Sequence, residues 1–160
     1  MTTIAYNYKD NEIAVDSRCT GGTVIINDDD TKVHFAGNEC FVLAGDVCDI
    51  ENFVEHYPEN VGALEVYGFM IKDLTVYSIG VAEDGELHYC RAMCSEGVGS
   101  GGTFALAAMD FGKTAKEAVE YAMTRDSASG GEIHVLHIEK EEEDEPVTVK
   151  VKTKKARGKK

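Results

Sequence analysis

Nowhere does the chain carry an apolar run near the roughly eighteen residues of a membrane-spanning helix, so no span is expected. Basic residues are scarce: 16 Lys and Arg face 29 Asp and Glu, for a formal charge of −13. That deficit argues against general nucleic-acid or anionic-membrane binding by the body of the protein. No C-x-x-C pair occurs among the five cysteines Cys19, Cys40, Cys48, Cys90 and Cys94. An odd number without that spacing gives no disulfide framework, so the cysteines read as small buried apolar groups in a reduced, cytoplasmic compartment. The histidines are scattered, and neither a metal nor a cofactor is expected. The opening residues do not read as a signal peptide, and no linker or internal repeat is evident.

What is present is an ordinary globular composition. At 160 residues with 43% apolar content, the chain suits one domain with a real core. Alternation predicts strands over 3–8 and 12–15, joined by the turn Lys9-Asp10-Asn11. A loop at 19–22 leads to short strands at 23–26 and 31–35, then a buried strand at 40–44. Asp46 reads as the N-cap of a helix running to about Tyr57, where Pro58 stops it. A hairpin at 64–70 and 74–81 and a strand at 86–90 follow. The glycine-rich 97–102 stretch is expected to open a helix over 103–111. A second helix begins near Thr114, with Ala115, Ala118, Val119 and Ala122 at helical spacing. Strands at 132–138 and 147–151 close the chain.

Several short motifs are weak alone. Gly97-x-Gly99-x-x-Gly102 matches the dinucleotide fingerprint, but the acidic candidates Glu117 and Glu120 fall inside a helix rather than at a strand end. Asp16-Ser17-Arg18 reads as a charged turn, Lys32 as a solvent-facing strand residue, and Asp126-x-x-Ser129-Gly130-Gly131 as a helix exit. Met1-Thr2 is a common start. If Met1 is removed, however, Thr2 carries a hydroxyl and a free amine on one residue. That amine, with an ordinary pKa of about 8, lets one residue hold both nucleophile and base.

In combination these residues resemble the proteasome β-subunit family, including the HslV-type peptidases. The likeness rests on the opening Thr-Thr-Ile-Ala, Asp-Ser-Arg ending the second strand, and a lysine 14 residues beyond that arginine. It continues with Ala44-Gly45 before a helix, Gly99-Ser100-Gly101 opening another, and Asp-x-x-Ser-Gly-Gly before the next strand. The resemblance implies an α+β fold, the four-layer αββα sandwich of N-terminal-nucleophile (Ntn) hydrolases. The domain would cover 2–151, followed by a basic tail at 152–160. It implies a threonine endopeptidase, cytoplasmic, in homo-oligomeric rings that take peptides or unfolded proteins, with an ATP-dependent unfoldase as a candidate partner and no cofactor.

By the same resemblance, Thr2 would be the nucleophile. Lys32 would lie beside its amine, Asp16 would fix Lys32, and Arg18 would support that loop. Ser100, Asp126 and Ser129 would form the polar network around the amine, and the Gly45 amide would hold the oxyanion. Thr20 would bond substrate backbone. Cys19, His34, Leu43 and Val47 would line the pocket for the residue before the scissile bond. Leu43 suggests an apolar preference there, whereas Asp30 or Glu51 would favour basic residues. One short helix before Pro58 replaces the family's pair, so one outer helix layer should be reduced, on the side where the family's partners dock. Lys32→Ala is expected to fold normally and lose nearly all turnover, and Ser17→Ala to lose little. The remaining alternatives are a catalytically silent structural or decoy subunit, hydrolysis of a small amide, and nucleotide binding. The acidic run at 139–145 and the basic end read as a solvated tail, or as a contact with an acidic neighbour or nucleic acid.

Overall fold

The computed structural model describes residues 1–139. The expected final strand, most of the acidic run and the basic tail lie outside the described residues. Strand β1 (Thr3–Asn7) pairs antiparallel with β2 (Glu12–Val15). Their turn carries Asn11 at φ 50°, a left-handed value that Asn tolerates better than most residues. On β1, Ile4 and Tyr6 face one way and Ala5 the other, as the two-residue period of a strand requires.

Next comes a two-stranded ribbon, β3 (Cys19–Gly21) with β4 (Val24–Asn27). Strands β5 (Val33–Ala36), β6 (Glu39–Gly45), β7 (Val66–Lys72), β8 (Thr75–Val81) and β9 (Leu87–Arg91) form an antiparallel sheet in chain order. Helix α1 (Val47–His56) leaves β6, and its Asp46 N-cap accepts from the Cys48 and Asp49 amides. Strand β10 (Glu96–Gly99) adds to the outer side of β1, and β11 (His134–His137) to β2, so the first sheet runs β10-β1-β2-β11. Between them lie α2 (Gly102–Asp110) and α3 (Ala115–Met123), the latter held by a Thr114–Glu117 capping box.

Three apolar clusters place these elements. Ile4, Tyr6, Ile13 and Val15 of the first sheet meet Val42, Ala44, Phe69 and Val76 of the second. Ala5 and Ala14, on the other face of the first sheet, meet the alanine-rich sides of α2 and α3. Phe41, Leu43 and Met70, on the far face of the second sheet, meet Ile50 and Phe53 of α1. Phe41 is fully buried, with its ring centroid 5.3 Å from that of Phe53 and 4.9 Å from that of Tyr57.

Some expectations need correcting. The 97–102 stretch is a strand before it is a helix, and the expected loop at 19–22 pairs as β3. The cysteines are not a buried set: Cys48, Cys90 and Cys94 are exposed, and Cys19 and Cys40 are partly so. Cys48 sits in the first turn of α1, and Cys90 lies on β9, the edge strand of its sheet among the described residues. No helix among the described residues is long and apolar enough to cross a membrane.

Candidate active site

Strand β2 ends by carrying Asp16 into the interior, where it is fully buried. A buried carboxylate must be paired and hydrogen-bonded to persist. Asp16 accepts from the amides of Thr3 at 3.0 Å, Gly130 at 3.0 Å and Arg18 at 3.3 Å. Its fourth donor is Lys32 Nζ at 2.9 Å. Lys32 stands immediately before β5 and is only 5% exposed. Nζ uses all three of its donor positions: Asp16 Oδ1, the Arg18 carbonyl at 2.7 Å and the Met1 carbonyl at 3.1 Å. The ammonium therefore addresses the Met1–Thr2 peptide bond.

A second network lies on the other side of Thr2. Asp126 follows α3, and its Oδ2 accepts from Ser100 Oγ at 2.5 Å and Ser129 Oγ at 2.7 Å. The Ala128 amide donates to its other oxygen at 3.1 Å. Ser129 gives its proton to that carboxylate, so it accepts from Thr3 Oγ1 at 2.6 Å. Ser100 Oγ is also 3.3 Å from the Thr2 carbonyl. Burial alone would raise the Asp126 carboxyl. The hydrogen bonds from Ser100, Ser129 and the Ala128 amide, with the nearby amino terminus, outweigh it and hold the group below its usual range.

Arg18 closes the loop below. It grips Asp28 through Nε at 2.7 Å and Nη2 at 3.0 Å, and donates Nη1 to the Ser127 carbonyl at 2.9 Å. A Cβ on Gly130 would sit 2.4 Å from Arg18 Cζ, so the Ser129-Gly130 backbone and the arginine occupy one packed layer. Ser17, fully buried, places its hydroxyl 2.9 Å from the Asp28 carbonyl and 2.7 Å from that of Glu132.

In front of Thr2 opens a cleft of about 610 Å³. Thr2, Arg18, Cys19, Thr20, Lys32, His34, Leu43, Gly45 and Val47 all line it, as do Asp30 and Glu51. The expected pocket residues are thus brought together, while Asp16, Ser100, Asp126 and Ser129 stand outside the lining. Met1 lies in the cleft, its amine donating to Thr20 Oγ1 at 3.2 Å. Burial pushes the His34 imidazole below its ordinary pKa, an effect Asp30 partly offsets.

Sequence reasoning missed Thr3, the Gly130 amide and Asp28, each of which holds a named site residue. It also missed Asp46, Cys48, Ile26 and Ile50 in the cleft wall. Thr3 carries no signal, since a threonine in a strand looks like any β-former. The glycine fingerprint is explained by packing. A Cβ on Gly99 would lie 1.9 Å from the Thr2 carbonyl oxygen, and one on Gly97 1.9 Å from that of Gly102. Strand β10 also runs antiparallel to β1, which is not the parallel unit that cradles a dinucleotide. Elsewhere, the exposed Asp84, Glu86 and His88 bring potential ligand atoms within 4.8 Å of one another, but none lines the cleft.

Neither a family model nor a curated protein matches the chain. Many solved structures do, two of which follow. Thiobacillus denitrificans BPH in complex with epoxomicin superposes with a TM-score of 0.63 at 16% identity, covering 87% of this chain and all of that one. Eukaryotic HslV from Trypanosoma brucei superposes at 0.59 and 20% identity, covering 85% of this chain and 99% of its own. The chain shares the fold of HslV. At these identities the likeness concerns the backbone, and the HslV fold leaves the work of each residue to be argued from the contacts above.

Proposed function

We propose that this chain is a threonine endopeptidase that acts through Thr2 once Met1 is removed. The observation that carries the reading is Lys32. It is buried, ion-paired to a buried Asp16, and directed at the carbonyl of the residue preceding Thr2. With Met1 gone, that ammonium stands beside the Thr2 amine and hydroxyl. A positive neighbour disfavours protonation of the amine and favours an alkoxide.

In this reading Thr2 Oγ attacks the substrate carbonyl, and its proton passes to the α-amine. The resulting oxyanion is held by the Gly45 amide. Leu43 N–H donates to the Lys32 carbonyl, and strand alternation turns the Gly45 N–H to the same side, past the start of β5. Such a donor is worth about 3–4 kcal/mol. Gly45 itself sits at φ 135°, with Glu65 backbone where a Cβ would go. Collapse breaks the C–N bond, and the leaving amine takes the proton from the α-amine. Water then hydrolyses the Thr2 ester. Ser100, Asp126 and Ser129 orient the amine, and Arg18 with Asp28 braces the loop that holds Asp16.

The scaffold is an αββα sandwich with α2 and α3 as one outer layer and the other reduced to α1. We take the domain as 2–151 and the basic tail as 152–160. A self-compartmentalised cytoplasmic ring would restrict such a site to peptides and unfolded proteins. An unfoldase would have to dock against the thinner α1 side. A second reading is a silent subunit that keeps Met1, whose amine then donates to Thr20 Oγ1 in the cleft.

The intact mass before and after an α′,β′-epoxyketone peptide separates the two. That warhead closes a ring on a residue bearing both a hydroxyl and a free amine. Loss of Met1 with one adduct per chain, absent in Thr2→Ala, is the expected result, and Thr2→Ala should lower turnover at least about 10³-fold. Retained Met1 without an adduct selects the silent subunit.

A further inference from the structure

The charges around the cleft are unevenly compensated. Its two fixed cations already have partners: Arg18 is held bidentate by Asp28, and Lys32 by Asp16, neither of which lines the cleft. Three carboxylates do line it, those of Asp30, Asp46 and Glu51. Asp46 caps α1 through two amides. Asp30 and Glu51 have no ion-pair partner among the described residues. Burial holds the His34 imidazole below its ordinary pKa, and the nearby Asp30 partly offsets this. The same cleft is lined by the apolar side chains of Ile26, Leu43, Val47 and Ile50. A cleft lined by both apolar side chains and carboxylates without an ion-pair partner among the described residues suits a methylene stem tipped with a cation.

We propose that this cleft selects peptides with lysine or arginine before the scissile bond, and that Asp30 and Glu51 determine that preference. The inference rests on the peptidase reading for the place of the cleft along the substrate. It commits to charge where Leu43 alone would predict an apolar residue. Leu43 then packs against the stem, and the two carboxylates meet the ammonium or guanidinium at its end. The net charge of −13 draws such peptides in, more strongly at low salt.

The test is binding, so that it does not depend on turnover. N-acetylated tripeptide acids ending in arginine, lysine, norleucine or glutamate are titrated into protein whose loss of Met1 has been confirmed by mass. Lysine and arginine should bind above norleucine, which keeps the stem but lacks the charge, and glutamate should bind last. Asp30→Asn and Glu51→Gln should each shrink the lysine-over-norleucine ratio by about twofold to fivefold, as should added salt. Norleucine equal to or tighter than lysine, no binding by any of the peptides, or an order unchanged in both variants would overturn the proposal. An absent epoxyketone adduct alongside the expected order would sink hydrolysis while supporting the cation-selective cleft.

Discussion

The two sheets of this protein are finished to different degrees. Every residue of β1 and β2 is buried, because β10 and β11 flank them, the second sheet covers one face, and α2 with α3 cover the other. The second sheet carries α1 on its far face, against β5 to β7, while β9 at its edge is largely exposed. The buried polar machinery belongs to the first half: Asp16 and Thr3 are fully buried and Ser129 is 2% exposed. Charges and hydroxyls need a rigid, dry setting to keep one geometry, and the doubly covered sheet supplies it. The second half contributes Gly45 and about half of the cleft lining, including Leu43, Val47 and Ile50, positions that depend on backbone shape and apolar surface. Helix α1 on that side also supplies Val47, Ile50 and Glu51 to the cleft.

Lys32 is where the halves meet, and its loss should have the largest effect. Lys32→Ala removes the cation beside Thr2, so turnover should fall at least about a hundredfold. It also leaves Asp16 as a buried charge without its counter-ion, a situation that costs about 3–5 kcal/mol in a fold whose total stability is about 5–15 kcal/mol. The sequence alone suggested normal folding; the burial of Asp16 argues for a lower denaturation midpoint. Adding Asp16→Asn removes the buried charge but turns an NH2 toward at least one of the backbone amides that Asp16 serves, so the double variant should recover stability only in part and turnover not at all, as read by chemical denaturation beside a peptide assay. Full activity in the single variant would remove Lys32 from the chemistry. Ser17→Ala follows the same logic at smaller scale. Its turnover should change little, but two partly buried carbonyls lose a shared donor, at about 0.5–1.5 kcal/mol.

How much of this was legible in the residues depended on whether each signal was local. Asp46 and Pro58 bracket α1, and Thr114 with Glu117 starts α3, because caps act within one turn. Asp16, Lys32, Ser100, Asp126 and Ser129 were named together through the family resemblance, and the structure shows Asp16 against Lys32 and Asp126 against Ser100 and Ser129. Strand β10 was not found. Its glycines let backbones approach within a Cβ radius of Thr2 and Gly102, and close approach between distant segments leaves no periodicity to read. The Asp28 partner of Arg18 and the amide of Gly130 are likewise tertiary facts, invisible until β3 and β4 fold back.

The comparison predicts where core cuts act, a large one on the α1 side and a small one between the sheets. Phe41→Ala should detach the ring stack that seats α1, destabilising by about 3–5 kcal/mol and raising protease sensitivity around 47–57. Ile13→Val, between the sheets, should cost about 0.5–1.5 kcal/mol and leave α1 protected. If hydrogen exchange in α1 is untouched by Phe41→Ala, the single-helix layer is held by something other than the Phe41–Phe53–Tyr57 stack.

The gentlest probe is pH, because each half carries its own depressed group. Asp126, on the first-sheet side, lies below its ordinary 3.8. Its contribution is therefore present at neutral pH and lost only as pH falls through the carboxylate range and below. His34, on β5, lies below its ordinary 6.5. The unfolded chain thus takes up that proton more readily than the folded one. Stability is complete above about pH 7 and declines as pH falls from the unfolded value toward the folded one. Between about pH 7.5 and pH 5 the acid slope attributed to this pair of groups belongs to His34 alone. His34→Gln should flatten the melting temperature across that window. Asp30→Asn should steepen it, since Asp30 partly offsets the depression. Parallel curves for all three proteins would mean that the imidazole titrates alike folded and unfolded, and that the cleft wall around it is wetter than its burial implies.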